Sequence, residues 1–376
     1  MPRVLSLKFH EILPVAMMAS TVWGAALRIA TLSGTALRGA SLRVAAPMIA
    51  APVIAAPVMA ALVVAALGVA TAAPAWAGGI AFIVNSRGPS ISVIDMATHK
   101  EVGRIPALRE PHHLMLTPDG KSLLIGDTAG NQMLFLDPTT GEVQKRMPMS
   151  DPYQFGFSPN GKLFTVNGLA RNQVDIYDAT TFKLIKRFPV VATPSHLAYS
   201  PDSKWVFVSL QDSDRLVSFD LESMTERWTV PVGKTPAGVL WLNNEVLVAD
   251  MGTDGVARVD PQSGKVIGTI HTDKGAHNLF LSPDKKILWV NNRQGGTTTA
   301  VDAATLKDIR TYTIGGGPDD LDFAPGGKIW YTRRFAQSVA VLDPTTGAIE
   351  TIDVGRSPHG LYLNPHAPSP TQVSSR

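Results

Sequence analysis

Five of the nine histidines in this 376-residue chain occur at one recurring place, directly after a unit-opening proline, or the alanine that replaces it in one unit, or one residue beyond. The series runs His112-His113 after Pro111, Tyr153-Gln154 after Pro152, Ser195-His196 after Pro194, Ala237-Gly238 after Pro236, His277-Asn278 after Ala276, Asp319-Asp320 after Pro318 and His359-Gly360 after Pro358. Imidazole with carboxylate is ligand chemistry for zinc, copper, nickel or iron, so His112, His277, Asp319 and His359 are candidates to hold one divalent ion. The same pairing serves general acid and base work, for which His277 and His359 are the catalytic candidates. The plainer alternative is that these imidazoles hydrogen-bond to the backbone of a neighbouring unit or to water. The chain has no cysteine, which excludes disulfides, thiolate sites, c-type haem attachment and cysteine nucleophiles, and makes copper(I) the least favoured metal.

A second set of chemistry-bearing residues lies between these positions: Arg87, Arg171, Arg293, Arg333 and Arg334. Guanidinium forks match carboxylate and phosphate groups. With His112, His113, Tyr153 and His196 they form the expected ligand-binding set, and a small anionic molecule is the expected ligand. The competing role for these arginines is pairing with Asp127, Asp250 or Asp319. No glycine-rich phosphate loop, nucleophile elbow or H-E-x-x-H motif accompanies them.

The elements that must position these residues are marked by a different series. Asp95, Asp137, Asp178, Asp220, Asp260, Asp302 and Asp343 follow one another at intervals of 42, 41, 42, 40, 42 and 41 residues. Each closes a short apolar run such as Ile91-Ser92-Val93-Ile94 or Val339-Ala340-Val341-Leu342, so one supersecondary unit recurs seven times. Within a unit come a strand after the proline, a turn such as Thr117-Pro118-Asp119-Gly120 or Ser282-Pro283-Asp284-Lys285, a second strand, a loop, a third strand ending in the aspartate, a turn such as Asp137-Pro138-Thr139-Thr140-Gly141, and a fourth strand. Proline at the second turn position and Asp, Asn or Gly at the third suit tight hairpins. The unit at Leu240-Trp241-Leu242-Asn243-Asn244-Glu245 turns on Asn-Asn instead.

Four antiparallel strands per unit and seven units predict an all-β, seven-bladed propeller. The chain enters on a second strand, Ile80–Val84, and leaves on a lone first strand, Gly360–Leu363, so the C-terminal strand is expected to join the N-terminal blade and close the ring. In such a meander the regular turns share one face. The irregular loops share the other, where the histidines and arginines gather around the mouth of the central channel. The tryptophans Trp205, Trp289 and Trp330 recur on the second strand, where inter-blade packing is their expected role.

The pattern Ser-Pro-Asp-Gly-Lys, a strand ending in Val-Asn, Val-x-Val-Ile-Asp and then Thr-x-x-x-Val-x-x-x-Ile resembles the YVTN-type, YncE-like β-propeller repeat, from Ile80 to about Pro365. That resemblance implies the fold and leaves the role open. The run Gly327–Thr332 followed by Asp343–Gly347 is similar to repeats of streptogramin lyases, and Val248-Ala249-Asp250 to lactonase-type propellers. These imply histidines and acidic residues with a divalent cation at the channel mouth, and hence a metal-assisted lyase or lactone hydrolase. Haem d1-binding and quinoprotein-associated propellers look similar too, which implies a haem- or quinone-linked redox accessory protein.

Residues 1–77 read as an export leader: basic up to Arg43, apolar from Val58 to Ala70, then Ala75-Trp76-Ala77 as an A-x-A cleavage site. Cleavage after Ala77 would release a periplasmic or secreted chain, whereas an uncleaved leader would anchor it in a membrane. The net charge of +3 belongs to this leader, because beyond it 29 basic residues meet 30 acidic ones. No nucleic-acid footprint is present. The propeller is expected over 78–366, with a disordered tail over 367–376. The leading expectation is an exported, monomeric binding or scaffold propeller whose partner is a small anion or a periplasmic protein; the lyase or lactonase and the redox accessory protein are the alternatives.

Overall fold

The computed structural model describes residues 78–106 and 109–368; the expected leader and residues 369–376 lie outside them. Among the described residues, twenty-eight strands form seven four-stranded antiparallel sheets. They are the blades of a propeller. Blade 1 combines Pro358–Asn364 with Ile80–Asn85, Ser90–Asp95 and Lys100–Pro106. Blades 2 to 7 follow in chain order over 111–148, 154–189, 194–231, 236–271, 276–313 and 318–353.

Ring closure is as the sequence predicts. Pro358–Asn364 pairs antiparallel with Ile80–Asn85, in the register Ile80 with Asn364, Ala81 with Leu363 and Phe82 with Tyr362. Ala367, assigned to a disordered tail on composition, is instead buried in the core between blades 1 and 2. Its small side chain fits beside Ile80 and Leu136.

Burial explains the strand sequences. Every residue of Ile80–Asn85 and of Ser90–Asp95 is buried, whereas the outer strand Lys100–Pro106 is largely exposed. A middle strand has a neighbouring blade against each of its faces, so both alternating sets of side chains must be apolar or hydrogen-bonded. Phe82, Val84 and Ile91 pack on Leu123, Ile125 and Leu134 of blade 2, while Ala81, Ile83 and Ile94 pack on Trp330, Val339 and Val341 of blade 7. Trp289 and Trp205 likewise join clusters that reach the next blade.

The repeating aspartates tie the regular face. Asp137 accepts the N–H groups of Thr139 at 2.8 Å and Thr140 at 3.0 Å, and Asp302 accepts the N–H and hydroxyl of Thr305, both at 2.7 Å. A short carboxylate that satisfies its own turn explains why this position tolerates so little drift. At the Asn-Asn turn, Asn243 and Asn244 have φ of 52° and 60° and Leu242 pairs with Glu245. This is the two-residue hairpin that requires left-handed backbone at both positions, which asparagine adopts readily.

The opposite face is ordered by a device of its own. Asn131, Asn172, Asp214 and Asp254, spaced by 41, 42 and 40 residues, each sit in the left-handed region. Each side-chain oxygen accepts the N–H of the residue before the proline or alanine that opens the next unit: Asp151, Thr193, Thr235 and Gly275, at 3.1, 2.7, 2.9 and 2.8 Å. The loops that look irregular in sequence are therefore pinned at the blade junctions.

Candidate functional site

Four of the first strands present their leading residues to the channel latched by a side chain of the blade before. Asn167 Nδ2 donates to the carbonyl of Ser195, Ser209 Oγ to that of Ala237, Asn291 Nδ2 to that of Asp319 and Thr332 Oγ1 to that of His359, at 2.9, 2.7, 3.3 and 2.6 Å. At the equivalent place in blade 2 stands Gly126, where a Cβ would lie 2.1 Å from the carbonyl oxygen of Pro152. Each donor comes from the second strand of one blade, and each acceptor is a channel residue of the next.

The imidazoles do converge. His112 and His359 meet edge to face with ring centroids 4.9 Å apart, His113 and His359 at 4.6 Å, His113 and His196 at 5.1 Å, and His196 and His277 at 5.4 Å. Tyr153 tilts against His112 at 4.8 Å. Ala237 and Gly238 of blade 5 are small, which leaves room for His196 and His277 to touch across that sector.

Asp319, 1% exposed, is the hub. Its Oδ1 lies 2.5 Å from Arg293 Nη2 and 3.1 Å from His277 Nδ1. Its Oδ2 lies 3.2 Å from Arg334 Nη1 and contacts His359 Nδ1. Burial pushes this carboxyl up, but the Arg293 guanidinium together with the His359 and His277 contacts outweighs it and holds Asp319 well below the usual carboxylate range. Burial, then the Arg293 charge, lower His277 well below an ordinary imidazole, and burial lowers His196 to about 4. His113 and His359 are lowered well below theirs by burial first. His113, His196, His277 and His359 are thus neutral imidazoles around a charged carboxylate.

Donor and acceptor rules fix much of the protonation. His277 Nδ1 lies 3.4 Å from the carbonyl oxygen of Asp319, which only accepts, so the proton sits on Nδ1 and Nε2 is left as the acceptor toward Arg293. His359 is poised between two tautomers. Its Nδ1 contacts both Asp319 Oδ2, which only accepts, and Arg334 Nη1, which only donates, and its Nε2 lies 3.2 Å from His113 Nε2.

Above this ring opens a cavity of about 570 Å³, lined among others by His112, Tyr153, His277 and His359, with Arg293 and Arg334 on one side and Glu110, Asp151 and Arg171 on the other. Buried polar atoms here lack hydrogen-bond partners, among them Arg293 Nε, His112 Nδ1, His196 Nε2, Gln154 Oε1 and Asp319 Oδ1. Glu110 and Asp151, each the residue before a blade-start proline, were not singled out by sequence; Glu110 Oε1 lies 3.2 Å from His112 Nε2, and Asp151 Oδ2 accepts the Arg171 N–H at 2.9 Å. The signal that could have found them is their place one residue ahead of the prolines that open the series.

Of the expected arginines, Arg171, Arg293 and Arg334 line the cavity and Arg87 and Arg333 do not. Arg333 ends a strand and turns away from the mouth, its Nε donating to Ser338 Oγ at 2.9 Å and its Nη2 to Thr351 Oγ1 at 3.1 Å. Arg87 borders a separate, smaller cavity. Pairing with Asp319 holds for Arg293 and Arg334, while Asp127 is occupied by the backbone N–H groups of Arg109, Glu110 and Gly130 and by Gln132.

The expected metal set does not take shape. Among the described residues no group of three or more His, Asp or Glu side chains is disposed to hold a metal ion. The reason is electrostatic: both oxygens of Asp319 face guanidinium groups, and His112 turns Nε2 to Glu110. A cation placed between His277, Asp319 and His359 would sit against Arg293 and Arg334.

Fold and mouth together define a closed seven-bladed propeller with an arginine- and histidine-lined channel. The chain matches the model of the YNCE-like beta-propeller over residues 42–369 and belongs to that family. No curated protein matches it. Among solved structures it is similar to a functionally unknown protein from Desulfotomaculum acetoxidans, with a TM-score of 0.66 and 12% identity over 76% of this chain and 98% of that one. It is similar to the periplasmic gluconolactonase of Pseudomonas aeruginosa, at TM-score 0.62 and 19% identity over 76% and 99%, and to Kuenenia stuttgartiensis hydrazine synthase, at 0.58 and 18% over 66% and 88%. At such identities the likeness is one of fold.

Proposed function

We propose that this propeller binds a small anionic molecule at the channel mouth, with Arg293 and Arg334 as its principal donors and His112, Tyr153 and His277 around it. One observation carries the reading: two guanidinium groups, Arg293 and Arg334, converge on this cavity, and Arg293 Nε is buried there without a hydrogen-bond partner. A buried donor left without an acceptor costs roughly 1–3 kcal/mol, which an anion's oxygens would recover. Titration calorimetry with benzoate and with inorganic phosphate tests it. Binding should weaken at least about tenfold in Arg293→Gln and in Arg334→Gln, since charge-assisted pairs are worth about that much or more; no binding by the wild type sinks the reading.

A second reading, lyase or lactone-hydrolase activity, is favoured by the geometry of His359. A proton on Nδ1 is held by Asp319 and leaves Nε2 as a base toward His113; a proton on Nε2 lets Nδ1 accept from Arg334. Either tautomer keeps two contacts, which suits a group that takes up and returns a proton without rebuilding its surroundings. Screening lactones for hydrolysis decides it: turnover should be lost in His359→Asn with substrate binding kept, and turnover that survives this change removes His359 from the chemistry.

A further inference from the structure

The arginine-rich mouth continues past the central cavity. Arg334 also borders a second cavity of about 280 Å³, together with Arg87, Phe335, Arg356 and Ser357. Arg87 and Arg356 are exposed, and neither has a carboxylate partner among the ion pairs of the described residues. Phe335 is 69% exposed, a large ring left in water beside three guanidinium groups.

The segment that carries these side chains is fixed. Phe335 N–H donates to the carbonyl of Gly316 at 2.9 Å and Arg334 N–H to that of Gly317 at 3.0 Å. Across the cavity, Ser86 N–H donates to Ser357 at 3.0 Å and Arg87 N–H to Arg356 at 3.3 Å. The phenyl ring lies over Gly317, where φ is +68° and a Cβ would come 2.4 Å from the ring. Glycine there supplies both the backbone conformation and the space.

We infer that the cavity of Arg87, Arg356 and Phe335 is a second subsite, and that the ligand of this propeller is an extended dianion with a planar, apolar middle. One acid group would pair with Arg293 and Arg334 in the channel, the planar part would lie on Phe335, and the second acid group would pair with Arg87 and Arg356. The inference rests on anion binding at the channel mouth and adds the shape and charge of the ligand. Arg334, shared by both cavities, makes the two sites adjoin. An exposed ring beside unpaired guanidinium groups gives a flat anion both a stacking face and bidentate donors, and joining two acid groups in one molecule makes the second contact intramolecular.

The experiment is calorimetry on the full chain with paired probes: benzoate against terephthalate, and 2-naphthoate against naphthalene-2,6-dicarboxylate. At least one aromatic dianion should bind at least about tenfold more tightly than its monoanion. That preference should vanish in Phe335→Ala and in the double variant Arg87→Gln/Arg356→Gln, with monoanion affinity kept; all three side chains are exposed, so folding should survive. Equal affinities for each pair in the wild type overturn the second subsite while leaving the channel reading intact. A preference that persists in the variants overturns it as well, and absence of binding by every probe overturns both.

Discussion

At the scale of single residues, the site is a buried carboxylate surrounded by two arginines and a ring of neutral imidazoles. This arrangement ties stability to pH. His113, His196, His277 and His359 are all lowered below the ordinary imidazole value, His196 to about 4, so the folded protein keeps them neutral where the unfolded chain takes up protons. Stability should therefore be full above about pH 6.5 and decline as pH falls below it toward the folded values. Thermal denaturation between pH 7.5 and 5 checks this, and His196→Asn should flatten the slope; a melting temperature that does not fall with pH in the wild type contradicts it. The participants in this ring were legible because their types recur at one place in each repeat. The direction of a side chain was not. Arg333 and Arg334 are neighbours in sequence, yet one turns to Ser338 and Thr351 and the other enters the channel, since successive residues at a strand end face opposite ways.

At the scale of elements, the site is held by contacts between a second strand and the first strand of the next blade. The donors Asn167, Ser209, Asn291 and Thr332 are of three types, so they do not form a visible motif, and Gly126 replaces the donor with a close backbone approach to Pro152. Gly126→Ala should be costly for that reason: its methyl must displace the backbone at Pro152, and overpacking of this kind costs about 1–3 kcal/mol. Urea denaturation should show the loss, together with weakened anion binding because Tyr153 follows Pro152; an Ala variant of wild-type stability would show that this junction is slack. The turns of the regular face were legible from the aspartate spacing, because each carboxylate satisfies a turn within its own unit. The junction residues Asn131, Asn172, Asp214 and Asp254 keep the same period, but they sit among variable neighbours and act on the next unit, so their role emerged only from the fold.

At the scale of the whole molecule, seven blades close through the pairing of Ile80–Asn85 with Pro358–Asn364. The closing strand also carries His359, so closure and site assembly are one event. A chain ending before Pro358 should lose both: the strand edge of Ile80–Asn85 would be open, and an open edge pairs with other chains. Size-exclusion chromatography should show association or unfolding, and a monomeric, compact truncation would mean that the ring does not depend on its closing strand. The fold itself was readable from the period and the offset between first and last strands. The cavity was not, because its walls come from six blades and no single repeat contains it. The central claim is that Arg293 and Arg334 make this mouth an anion site. Titration of benzoate or phosphate into the wild type, Arg293→Gln and Arg334→Gln tests it most directly. Wild-type binding should weaken with added salt and fall at least about tenfold in each variant while the fold is retained; binding that is absent, or unchanged by both substitutions, would contradict an anion site here.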